Sequence, residues 1–171
     1  MTLDAYMAQL AEVAATGERI GRHMVLAVDT SANGNTASAG SYTVVAYHID
    51  NLGAALNAST TDKSYIGEGE STLKTGTKRS FAITGNRLVG EDFQDFCLSN
   101  DIKYGVGTDV QRGYVYFDAG TKSGEKGTAT ITVSKDGNAN ASDPGEVEIN
   151  LNVNGTPEDY TYTAPSSGGG T

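Results

Sequence analysis

Two stretches of the chain alternate apolar and polar residues with a strict period of two, and they constrain the fold more than any other feature. Ala129, Ile131 and Val133 oppose Thr128, Thr130, Thr132 and Ser134, while Val147, Ile149, Leu151 and Val153 oppose Glu146, Glu148, Asn150 and Asn152. Successive side chains of a strand point to opposite faces, so each stretch has one apolar and one wet face. Antiparallel sheets that cover one face are built this way. Between the two lies KDGNANASDPGE, with the Asp-Gly and Pro-Gly signals of a hairpin loop.

The remaining strand signals agree with an all-antiparallel reading. Residues 23–29 and 42–50 are rich in Val, Ile and Tyr; the second run is apolar at both parities, with Val45, Tyr47 and Ile49 opposed to Val44 and Ala46, which predicts a strand covered on both faces. A Gly, Asn and Ser stretch, 30–41, joins them as a flexible connection. Residues 77–85 put Phe81 and Ile83 on one side and Lys78, Ser80 and Ala82 on the other, and short strands are predicted at 114–118 and 160–163. With 22 glycines, 9 tyrosines and no tryptophan in 171 residues, the composition suits strands punctuated by turns. The predicted fold class is mainly β, an antiparallel β-sandwich with one flanking α-helix at about 90–100 and a short N-terminal helix.

The helices are read from spacing. In 3–15, Leu3, Tyr6, Met7, Leu10, Val13 and Ala14 recur at helical intervals and Gly17 stands where a stop belongs. That narrow face has two dockings open to it, a neighbouring subunit or its own domain, besides mobility until assembly. In LVGEDFQDFCLSND, Glu91 and Asp92 favour the positive end of a helix and Val89, Phe93, Phe96 and Cys97 share a face. The organisation is then a helical arm at 1–17, one β-sandwich domain at 18–165 and a disordered tail at 166–171, SSGGGT. Residues 51–76 are polar with isolated anchors at Leu56, Tyr65, Ile66 and Leu73, and read as an extended loop or hairpin that reaches another subunit.

Charge and chemistry exclude several functions. Lys plus Arg is 12 and Asp plus Glu is 21, and the net charge of −9 has the wrong sign for contacts to phosphate. The N-terminus resembles neither a signal peptide nor a membrane span. Cys97, the single cysteine, leaves no intramolecular disulfide and reads as a small buried hydrophobe folded in a reducing cytoplasm. His23 and His48 fall in predicted strands without partners set by sequence. YGVGTDVQRG and GTKSGEKG lack the order of a phosphate-binding loop and read as turns. Asp136, Asn138, Asn140, Asp143 and Glu146 offer oxygen ligands for calcium, but Ala141 and Val147 stand where an EF-hand needs Gly and Glu. Tyr114, Tyr116, Tyr160 and Tyr162 share a parity without interleaved basic residues, which points to packing or an interface. No catalytic, cofactor-binding or metal residues are assigned, and the chain is not expected to be an enzyme.

The block FAITGNRLVGEDFQDFCLSNDIKYGVGTDVQRGYVYFD, followed by GEKGTATITVSKDG and DPGEVEINLNVNG and preceded by ATGERIGRHMVLAVDT, resembles the major tail tube proteins of siphophages infecting Gram-positive bacteria. The resemblance implies a β-sandwich whose flanking helix spans 91–100. It also implies hexameric rings stacked into a tube, with tape-measure and tail terminator proteins as further partners. DNA would pass the lumen without specific binding, no membrane or cofactor is involved, and the protein would reside in the virion tail after assembly in the host cytoplasm. One acidic strand face carrying Glu146 and Glu148 is expected to contribute to the lumen. The competing reading is a β-sandwich binding module, such as a capsid decoration or carbohydrate-binding protein.

Overall fold

The structure is a computed structural model that describes residues 1–10, 13–31 and 41–164. Seven antiparallel strands form one continuous sheet: β1 (Met24–Asp29), β2 (Tyr42–Val44), β3 (Ile49–Tyr65), β4 (Gly69–Asn86), β5 (Gln111–Asp118), β6 (Ser123–Asn138) and β7 (Glu146–Thr161), in the order β2-β1-β5-β6-β7-β4-β3. Three short helices accompany them, α1 (Leu3–Gln9), α2 (Asp92–Cys97) and α3 (Asn100–Lys103). The mainly-β antiparallel class read from the sequence is the one observed.

The sheet curls on itself, which gives it the inside of a sandwich. β4 and β5 stand three places apart in strand order, about 14 Å in a flat sheet at ~4.8 Å per strand. Yet the ring of Phe81 on β4 lies 5.3 Å from that of Tyr114 and 5.0 Å from that of Tyr116, both on β5. The bend falls on β6 and β7, whose pairing slips between Lys126 and Thr128, Val133 and Lys135, and Asp136 and Asn138. Such bulges increase local twist and bend the strand that carries them. Inside the fold lie Leu26, Val28, Phe81, Ile83, Tyr114, Ile131, Ile149 and Leu151, with Phe93, Cys97 and Ile102 of the helices closing the end.

β1 and β5 are covered on their second face as well. Val25, Ala27, Val115 and Phe117 point away from the main core into a smaller one with Tyr42, Val44, Tyr162 and Leu3. Of the two dockings open to the N-terminal helix, the structure shows the one on its own sheet: Leu3 is fully buried, and Thr2 caps α1 and bridges to Thr43. The helix ends at Gln9 with Leu10 as its cap, shorter than the 3–15 expected from spacing, and residues 11–12 lie outside the described residues.

Four further expectations change. The run 42–50 is not one strand: β2 stops at Val44 and a turn at Tyr47 and His48 (φ 55°) redirects the chain into β3. A Cβ at Gly85 would meet the His48 carbonyl oxygen at 2.1 Å, so a glycine is needed where that turn crosses β4. The helix at 90–100 is two helices, because Leu98 closes α2 and Ser99 caps α3; Val89 is not on its buried face but 81% exposed. Residues 160–163 are not a separate strand, since β7 runs on to Thr161. The connection at 32–40 and the tail at 166–171 lie outside the described residues.

Candidate assembly surfaces

The polar excursion at 51–76 is a two-stranded ribbon that leaves the body of the protein. β3 pairs with β4 without interruption of direction from Ile49 and Gly85 out to Tyr65 and Gly69. β4 pairs with β7 only from Asn86 to Ser80. Beyond that point no third strand among the described residues joins the ribbon, and from Asn57 to Tyr65 it extends roughly 30 Å at ~3.4 Å per residue. The turn is closed by the Glu68 N–H donating to the Tyr65 carbonyl at 3.2 Å, with Gly67 supplying a φ of 94°. Both faces of this ribbon are open to solvent, and it displays Leu56, Tyr65, Ile66 and Leu73. A two-stranded hairpin is marginally stable on its own in water, so a long one carrying exposed apolar side chains calls for a partner.

A second surface appears only when the strands are aligned. On the outside of the sheet, Ala82 pairs with Asn150 and Asn150 with Thr132; one step along, Ser80 pairs with Asn152, Asn152 with Thr130 and Thr130 with Gln111. This face is small, polar and uncharged across its middle. Its groups bond to one another: Asn150 Nδ2 donates to Ser134 Oγ at 3.1 Å and Asn154 Nδ2 to Thr130 Oγ1 at 3.0 Å. Charge enters at one end, where Glu146 and Glu148 lie 2.8 and 3.8 Å from the Lys135 ammonium. The sequence showed each strand's polar parity but not the register that joins them into one surface.

The residues weighed for chemistry are spread through the fold. His23 ends a 3-10 turn at Gly21–His23, and His48 sits exposed in the turn before β3, so neither is in a strand. No hydrogen bond or ion pair joins either imidazole to a carboxylate among the described residues. Cys97 is fully buried, and desolvation, with Glu91 adding to it and Arg112 opposing, pushes its thiol well above the usual range. Asp136 pairs with Lys103 at 2.8 Å and Glu146 with Lys135, while Asn140 bonds Asp143 at 2.8 Å within the loop. The four tyrosines pack: Tyr114 and Tyr116 against Phe81, and Tyr160 and Tyr162 against Phe117 at 5.6 and 5.5 Å.

One ion pair and one buried amide hold the parts that present these surfaces. At the root of the ribbon, the Arg79 guanidinium donates to Glu125 at 2.6 Å and lies 4.6 Å over Phe81 and 4.9 Å over Tyr116, fixing β4 to β6 across the fold. Buried Gln94 ties α2 to the sheet: its Oε1 accepts from the Leu88 N–H at 2.9 Å, and its Nε2 donates to the carbonyls of Asn86 at 3.1 Å and Tyr47 at 3.3 Å.

The class defined here is a curled antiparallel sheet with a projecting ribbon and a broad neutral outer face. No protein-family model matches the sequence, and no curated protein does. Among solved structures the fold is similar to a chain from the tail of an empty gene transfer agent particle with C6 symmetry, at 14% identity over 85% of this chain and 100% of that one, with a TM-score of 0.58. It is also similar to a chain from the virion of a native gene transfer agent particle, at 10% identity over 84% of this chain and 100% of that one, with a TM-score of 0.56.

Proposed function

We propose that the chain is a structural subunit of a phage-type tail that assembles with copies of itself into stacked hexameric rings, forming a tube through which a genome passes. The observation that carries this reading is the bare ribbon: the chain folds a well-covered body and then extends a strand pair whose apolar side chains and outer edges have nothing to rest on among the described residues. Copies of the chain supply what is missing, since ring closure and stacking pair exposed strand edges. The shared fold with chains of an assembled tail of C6 symmetry supports the same choice.

In this reading the neutral outer face of β4, β7 and β6 lines the channel, with Glu146 and Glu148 at one end. A wall of Thr, Asn and Ser in a chain of net charge −9 offers DNA no cationic grip, so the polymer slides rather than binds. The function is mechanical, with no catalysis and no cofactor. Tape-measure and tail terminator proteins are its further partners, and assembly in a host cytoplasm precedes residence in a virion tail. Negative-stain microscopy of the concentrated purified protein tests the proposal: rings or hollow tubes are expected, and a protein that stays monomeric at every concentration contradicts it.

A further inference from the structure

The ribbon is unevenly charged along its length. Around its turn stand Asp62, Glu68 and Glu70 against the single ammonium of Lys63. Toward its root stand Lys74 and Lys78, and no ion pair among the described residues engages either one. An acidic tip and a basic root on one element are complementary between two copies and not within one.

A cleft lies beside that root. After Asn152 the seventh strand leaves β4, passes Gly155 at φ 76° and pairs only with β6, so the two ribbons splay and enclose about 510 Å³. One wall holds Lys74 and the 65% exposed Leu56; the other holds Pro157, Glu158 and Asp159. Glu158 is engaged by Lys126 at 3.5 Å, and Asp159 has no ion pair among the described residues. The outer edge of β4 along this wall is bonded to no strand among the described residues, where its one partner is β3.

We infer that the turn of one copy's ribbon seats in the cleft at the root of the next copy's ribbon. Ile66, fully exposed at 108%, and Tyr65 enter beside Leu56 and Pro157. Glu68 and Glu70 meet Lys74, the cleft's cation without an ion pair among the described residues, and Lys63 meets Asp159. Tip and root are different surfaces, so the contact is heterologous and propagates from copy to copy. This rests on the reading of the chain as a self-assembling subunit and adds which surfaces meet and what sets their pairing.

Two charge-reversed variants test it. Glu68→Lys with Glu70→Lys makes tip and root both basic; Lys74→Glu, beside Glu158 and Asp159, makes both acidic. Each alone brings like charges together and is expected to yield about tenfold less sedimenting assembly, or lower still. Mixed in equal amounts, the two are expected to restore assembly, because each then offers the other an opposite charge. Restoration also shows that both variants are folded. Ile66→Asp, with no change at the root, gives the same loss without rescue.

Three results would overturn the contact: either charge variant assembling like the parent, folded variants whose mixture stays apart, or Ile66→Asp assembling normally. If the parent assembles and the variants do too, the subunit reading stands and this contact is wrong. If the parent never assembles, it is the subunit reading that fails.

Discussion

β1 and the outer half of the β3–β4 ribbon are both strand, and they are opposites. Every residue of β1 after Met24 is buried, one parity against the main core and the other against α1 and its neighbours. Every residue of β3 after Gly53 is exposed. Strand conformation in β1 is held by apolar burial on both faces, whereas in the ribbon it is held by one ladder of hydrogen bonds and a few side-chain contacts, such as Thr72 to Asp62 at 2.7 Å. The body is covered by its own residues; the outer ribbon is not.

Substitutions separate the two regions. The largest effect is expected at Phe81, fully buried where β4 packs over β5: Phe81→Ala should cost about 3–5 kcal/mol, read as a lower denaturation midpoint. A loss below 1 kcal/mol would mean the sheet does not close there.

Alkaline pH tests the second core. Desolvation, with the Asp29 charge and Tyr160 adding to it, pushes Tyr42 from 10.0 up to about 12. Desolvation and the hydrogen bond to Asp4 push Tyr162 from 10.0 to about 12 as well. Folding holds these phenols protonated, so the stability they contribute is intact below pH 10 and is lost as pH rises through 12. Stability is expected to fall across that range, and Tyr42→Phe should flatten the fall in a pH series of melts. At the acid end the sign reverses. Burial raises Asp118, but the Arg19 hydrogen bond and the Gly120 amide outweigh it and leave the carboxyl below 3.8, so its contribution fades only as pH falls below that value.

Arg79 joins the two regions. Arg79→Met removes the Glu125 contact and the stacking over Phe81 and Tyr116, for an expected loss of about 1–3 kcal/mol. The smallest effect on the dilute monomer is expected at Leu73, where Leu73→Ser should change stability by less than about 0.5 kcal/mol while reducing assembly. A large melting shift there would show that the ribbon packs on its own body.

Much of the body was legible in the sequence because period-two burial leaves a period-two signature. Ile131, Ile149 and Leu151 point inward as their spacing requires, and Glu91 caps α2 by accepting from the Gln94 N–H at 2.8 Å. The ribbon left no such signature. With both faces wet, Thr, Ser, Asn and Lys occur at either parity, and only Gly67 and Gly69 mark its turn. The break at Tyr47 and His48 was hidden because Tyr47 and Ile49 fit a strand as well as a turn followed by a strand. The neutral face and the cleft depend on register and on where β7 leaves β4, which local sequence does not encode.

Amide hydrogen exchange on dilute monomer and on assembled protein measures the contrast directly. β1 and β5 are expected to be protected in both states, and the ribbon amides between 57 and 78 to exchange rapidly in the monomer and slow sharply on assembly. Ribbon amides already protected in the dilute monomer, or still fast in assembled material, would contradict the account.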